Sequence, residues 1–250
     1  MTLMALLLVF SIKRPPPASI EAGLRQDLAG RRFDFVGWEA GTVWQKLTHG
    51  LISPQQYMNE QDRQDFLLNY LALVGEMQRL DGEINRVYVD PEIDDPDGAT
   101  IELREEREEL RAAVSARQST AEAILEEQVA CILEDEGFSV LGQEFPPVLV
   151  RFTSLPRLLV VSPRDRIESL HQLSLAHGLG VAQQEEIEGK IDAAFDVSSL
   201  ITGIGGLSAY PSMLLESSSL NWITEVTAHE WTHHYLSPRP LGRNYLSSGE

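Results

Sequence analysis

The stretch from Gln64 to Glu136 constrains the fold most, because its apolar residues recur at helical spacing over nearly its whole length. Between Gln64 and Val87, Phe66, Leu67, Tyr70, Leu73, Val74, Met77, Leu80 and Ile84 follow one another at three and four. That spacing predicts a long amphipathic helix. Thr100 to Glu136 predicts a second, with Leu103, Leu110, Val114, Ala121, Leu125, Val129 and Ile132 on one seam and glutamate–arginine pairs on the other faces. The connection, Asp90 to Gly98, holds two prolines, a glycine and five carboxylates. So short a polar link favours an antiparallel helical hairpin, with a coiled-coil dimer along the same seam as the alternative. Asp90, Glu92 and Asp94 alternate as calcium ligands do. However, Asp95 stands where an EF-hand turn requires glycine and no glutamate closes the loop, so this is a solvated turn.

Outside the hairpin the pattern is more broken. Ile20 to Ile52 mixes helical and aromatic residues, and Phe33, Phe35, Trp38 and Trp44 are expected to form a packing layer. After Gly137, Val148–Phe152 and Arg157–Val161 are short β-rich runs bounded by prolines and predict strands. Arg166–His177 and Gln183–Phe195 are expected as helices, Gly203, Gly205 and Gly206 as a flexible connection, and Ala209–Leu215 as a further strand. The chain thus divides into an apolar segment with a proline-rich spacer (1–17), a helical region (18–136) and an α+β region (137–250).

The formal charge is −18, and residues 90–136 alone hold sixteen acidic and four basic side chains, a net of −12. No basic footprint is left for phosphates, which argues against nucleic acid as a partner. The single cysteine, Cys131, excludes an intrachain disulfide and a thiolate metal cluster. It falls within an apolar helical pattern and is expected in the core. Met1 to Ile12 is apolar apart from Thr2 and Ser11 and is followed by Lys13-Arg14 and three prolines. Twelve residues are too few to span a bilayer, which needs about 20, and a signal peptide's positive start is absent. Three readings compete: the remnant of an anchor whose start is missing, a short interfacial anchor and a buried strand. Some membrane association through residues 1–12 is the expectation, and nothing in the spacing sets an oligomeric state.

The chemistry concentrates in Leu220–Leu236. Ser217-Ser218-Ser219 offers N-caps before this run and Ser237-Pro238 ends it, so it is a helix of four to five turns. His229 and His233 are four apart and project one turn apart from one face. Two imidazole nitrogens so placed can each reach a zinc ion at about 2.0–2.1 Å. Glu230 is rotated by about 100° from His229, beside such an ion and not on it, where it can accept a proton from water that the metal activates. Glu225, one turn earlier, can orient an imidazole, with a capping or solvated carboxylate equally open. His234 can touch substrate or stabilise an oxyanion, but a structural histidine is the expectation, and Tyr210 can reach the cleft. His49, His171 and His177 lack metal-like spacing.

His229-Glu230-Trp231-Thr232-His233 resembles the HExxH motif of the zincin-like metallopeptidases. The likeness covers about thirty residues near the C-terminus. It implies Zn²⁺ as cofactor, two histidine ligands, Glu230 as general base, and a peptide or protein substrate. It also implies a neighbouring strand, expected at Ala209–Leu215, that pairs with an extended substrate. The metzincin extension with its third histidine is absent, so the arrangement is gluzincin-like, with a glutamate expected from a second helix. Ser247 and Glu250 have capping-box spacing for such a helix. Either Glu250 is the third ligand or the ligand lies beyond residue 250, and the second is the expectation. The fold class is then α+β and mostly helical: a long helical hairpin, a small sheet and a zincin-type active-site helix. Two other functions fit the same residues. One is an inactive scaffold that binds partners through its acidic hairpin, and the other is a zinc hydrolase of non-peptide substrates.

Overall fold

A computed structural model describes residues 20–50, 54–140, 143–166 and 168–242. In chain order its elements are α1 (Ile20–Asp27), α2 (Phe35–Gly50), a 3₁₀ turn (Pro54–Tyr57), α3 (Glu60–Val89), α4 (Pro96–Ala99), α5 (Ile101–Asp135), β1 (Ser139–Val140), β2 (Gln143–Glu144), β3 (Val150–Phe152), β4 (Arg157–Pro163), β5 (His171–Leu175), α6 (Val181–Phe195), β6 (Val197–Thr202), β7 (Gly206–Leu207), β8 (Ser212–Leu214) and α7 (Leu220–Leu236). The fold is α+β and mostly helical. The N-terminal segment expected at the membrane (1–17) and the Ser247–Glu250 cap lie outside the described residues. No helix among the described residues is long and apolar enough to cross a membrane. The chain forms two compact units, one from residues 20–33 and 156–203, the other from 34–155 and 204–242. The change of texture at residue 137 marks the end of α5, which lies inside the larger unit.

In the larger unit α3 and α5 form the hairpin. Asn59 caps α3 by accepting the Asp62 N–H, and Asp95 caps α4 by accepting the Gly98 N–H, so the acidic turn serves as a cap and a bend. Leu67, Tyr70, Leu71 and Val74 of α3 bury against Val114, Ala121, Ile124 and Leu125 of α5, and Val150, Phe152, Leu214, Ile223 and Trp231 join the same core. Each fully buried aliphatic side chain contributes about 1.5–3 kcal/mol. Two expectations are corrected here. Cys131 is exposed, and Ile132 is 53% exposed, because the buried seam steps by four from Val129 to Leu133 and passes both by. Of the aromatic residues expected as a packing layer, Phe33, Phe35 and Trp38 are half-buried and Trp44 is 69% exposed.

The sheet of this unit has the order β3-β8-β7, with β3 parallel and β7 antiparallel to β8. The outer edge of β3 is closed by side chains of α5. Glu126 Oε1 accepts the Val150 N–H at 2.7 Å, Glu122 Oε1 accepts the Phe152 N–H at 2.9 Å, and Gln118 Nε2 donates to the Phe152 carbonyl at 2.6 Å. Lys46 of α2 bridges both carboxylates at 2.8 Å. One ammonium serves two buried carboxylates. Lys46 is held charged, while burial of Glu126 pushes its carboxyl up to about 7.

The smaller unit holds the antiparallel sheet β5-β4-β6, and Ile187 and Ile191 of α6 share its core with Leu159, Val161, Val197 and Ile201. The helix expected over Arg166–His177 is instead the strand β5, paired with β4 from Arg157↔Leu175 to Val161↔His171. The cross-strand ladder overrides the local preference there. Strand β6 was not anticipated; its Val197 and Ile201 point inward. Here too the edges are closed. Phe33 N–H donates to the Ser174 carbonyl on β5, and Glu188 Oε1 accepts the Ile201 N–H on β6.

Candidate metal centre

Helix α7 has the bounds its caps predict. Ser219 Oγ accepts the Trp222 N–H at 3.4 Å, and the Ser237 N–H closes the last turn on the His233 carbonyl. Its buried face is Ile223, Thr227, Glu230 and Trp231. Trp231 fixes the helix within the unit: its Nε1–H donates to the Pro146 carbonyl at 2.6 Å and its ring stacks on Tyr235 at 5.1 Å. Thus one of the unspecified positions of the motif is a core anchor, while the histidines beside it face outward.

His229 and His233 bring their Nε2 atoms to 3.2 Å from each other, with the rings nearly perpendicular at 80°. Two ligands on a tetrahedral ion with bonds of 2.0–2.1 Å lie about 3.3–3.4 Å apart, so both nitrogens already point to a common centre. Burial, and secondarily the neighbouring His229, lowers the affinity of His233 for a proton and favours the neutral, ligating form. The two imidazole nitrogens are spaced as two ligands of one tetrahedral ion would be. Among the described residues, no third His, Cys, Asp or Glu completes the group. Glu250, the candidate third ligand, lies outside the described residues.

Glu230 is 7% exposed, and burial raises its carboxyl above the ordinary carboxylate range against the opposing influence of His229. Its carboxylate lies under β7. A Cβ added to Gly206 would stand 2.5 Å from Glu230 Oε1 and 2.7 Å from Val226 Cγ1, so only glycine admits this approach of strand to helix. The Gly203–Gly206 run, expected as a flexible connection, ends in this contact.

The register settles which strand is open. Leu215 N–H donates to the Gly205 carbonyl, which makes Gly206↔Leu214 the non-hydrogen-bonded pair and turns the Gly206 N–H and C=O outward. Ser212 N–H donates to the Leu149 carbonyl, and the Leu214 carbonyl accepts the Thr153 N–H. Strand β8 is therefore paired on both sides, and the expectation that Ala209–Leu215 pairs with substrate is corrected. The open edge is β7; among the described residues nothing hydrogen-bonds to its outward Gly206 groups.

The remaining candidates have plainer roles. His234 Nε2 donates to the Ala209 carbonyl at 2.9 Å and lies 3.2 Å from Ser212 Oγ, so it ties α7 to the start of β8. Burial lowers its proton affinity and keeps the ring neutral. Tyr210 meets the His234 ring edge-on at 5.4 Å and its hydroxyl donates to the Pro147 carbonyl at 3.3 Å. Glu225 is exposed, and no hydrogen bond joins it to His229 among the described residues. Neither a family model, nor a curated protein, nor a solved structure matches the chain.

Proposed function

We propose that the chain is a zinc-dependent peptidase whose water-activating group is Glu230. The observation that carries the reading is the convergence of His229 and His233 Nε2 at 3.2 Å beside a buried carboxylate, directly under an open strand edge. His229 and His233 would hold the ion. When bound, it supplies Lewis acidity, polarising a carbonyl and making water nucleophilic near neutral pH. Glu230 takes the proton from the attacking water and returns it to the leaving amine, and its raised proton affinity suits that shuttle. The Gly206 N–H and C=O add an extended peptide to the edge of β7 and set its carbonyl over the carboxylate. A peptide substrate is favoured over other hydrolysable groups because a bare strand edge recognises backbone. In the full chain with zinc, Glu230→Gln should lower hydrolysis of an unfolded polypeptide by about 10²–10⁴-fold while leaving zinc bound. Unchanged hydrolysis would refute the assignment.

A further inference from the structure

Helix α2 turns an apolar stripe outward, although polar side chains share its inward face with Phe35 and Trp38. Its inward positions include Glu39, Thr42 and Lys46: Thr42 is buried, Lys46 is engaged by Glu122 and Glu126, and Glu39 Oε1 accepts the Tyr210 N–H at 3.4 Å. Its outward positions are Val36 at 79% exposure, Ala40, Val43 at 39% and Trp44 at 69%. Spacings of four, seven and eight put these on one stripe. No Asp, Glu, Lys or Arg is among them, in a chain of net charge −18. The 3₁₀ turn that follows exposes Tyr57 at 92%.

We propose that this stripe docks on a phospholipid surface, with Val36 and Val43 entering the acyl boundary and Trp44 and Tyr57 at headgroup level. Two observations choose the occupant. The face is uncharged and bears aromatic residues, the composition that partitions into an interface. The same chain carries the apolar run Met1–Ile12 with Lys13-Arg14 behind it, a composition that also suits a bilayer boundary, and two such elements attach more firmly than one. The chain's negative charge selects a zwitterionic surface over an anionic one. None of this depends on the hydrolytic reading.

The test uses the full chain with phosphatidylcholine vesicles, some carrying brominated acyl chains that quench tryptophan. The chain has four tryptophans, of which Trp231 is buried in the core. Vesicles should quench part of the emission, Trp44→Phe should remove most of that part, and Val36→Ser with Val43→Ser should weaken partitioning by about tenfold. Val36 and Val43 lie at the surface, so the double serine variant should keep the parental unfolding midpoint. Quenching that persists in Trp44→Phe, or partitioning unchanged in the double serine variant, would assign the attachment to residues 1–12 alone and overturn the proposal. A concentration-dependent dimer abolished by the double variant, without vesicle binding, would overturn it in favour of a second copy.

Discussion

Substituting Gly206 with alanine probes the contact between β7 and helix α7. The new methyl would meet two neighbours of different stiffness, Val226 Cγ1 at 2.7 Å and Glu230 Oε1 at 2.5 Å. A helical valine has one strongly preferred rotamer and cannot turn aside, whereas a carboxylate at the end of a flexible side chain can. Overpacking of this kind costs about 1–3 kcal/mol, and the low end is expected because the carboxylate yields first. Glu230 then leaves the position under the strand edge, so hydrolysis should fall by at least about tenfold, a loss larger than the stability change accounts for. Denaturant unfolding and peptide hydrolysis on the same preparations measure both quantities. Adding Val226→Ala should recover part of the stability and little of the activity. A Gly206→Ala chain within about 0.5 kcal/mol of the parent, hydrolysing at the parental rate, would refute the close approach of β7 to Glu230.

The cluster at Lys46 makes a prediction about pH. Glu126 is raised to about 7 in the fold from 4.5, so the folded state binds its proton more tightly. Its contribution is present below pH 4.5 and is lost as pH rises through 7. Glu126→Gln should flatten the fall in unfolding free energy between pH 4.5 and 7 by an amount of order 3 kcal/mol, and an unchanged slope would refute the assignment. Glu122→Ala strips partners from Lys46, the Phe152 N–H and Gln118 together, and should cost about 3–5 kcal/mol in denaturant unfolding. His234→Ala should cost about 1–3 kcal/mol and leave metal affinity intact, because its Nε2 is committed to the Ala209 carbonyl. Trp231→Ala removes a buried ring and a hydrogen bond to Pro146 and should cost about 3–5 kcal/mol, read as a lowered unfolding midpoint.

Local signals were enough for the hairpin and for α7. Both rest on the 3.6 period and on caps, which a sequence displays directly, and the bounds of α7 follow from Ser219 and Pro238. Where pairing decides structure, local signals fail. Leu173 and Leu175 alternate as a strand requires, yet five residues beside a charged turn do not outweigh a helical reading until β4 is placed alongside. The same holds for the site. His229, Glu230 and His233 announce themselves by spacing, but the identity of the open strand depends on register, since β8 is flanked on both sides and β7 is not. Three glycines within residues 203–206 were the available signal for Gly206, because glycine in a strand often marks close backbone approach. Ile132 shows the limit of a seam drawn by spacing alone: one step of four in place of three, from Val129 to Leu133, moves it to solvent.

The proposal that His229 and His233 hold a metal ion served by Glu230 is tested most directly by zinc content after dialysis, with the parent, Glu230→Gln and His233→Ala measured side by side. One equivalent in the parent and in Glu230→Gln, with loss in His233→Ala, is the predicted result. Substoichiometric zinc in the parent, or equal zinc in all three, would contradict the account.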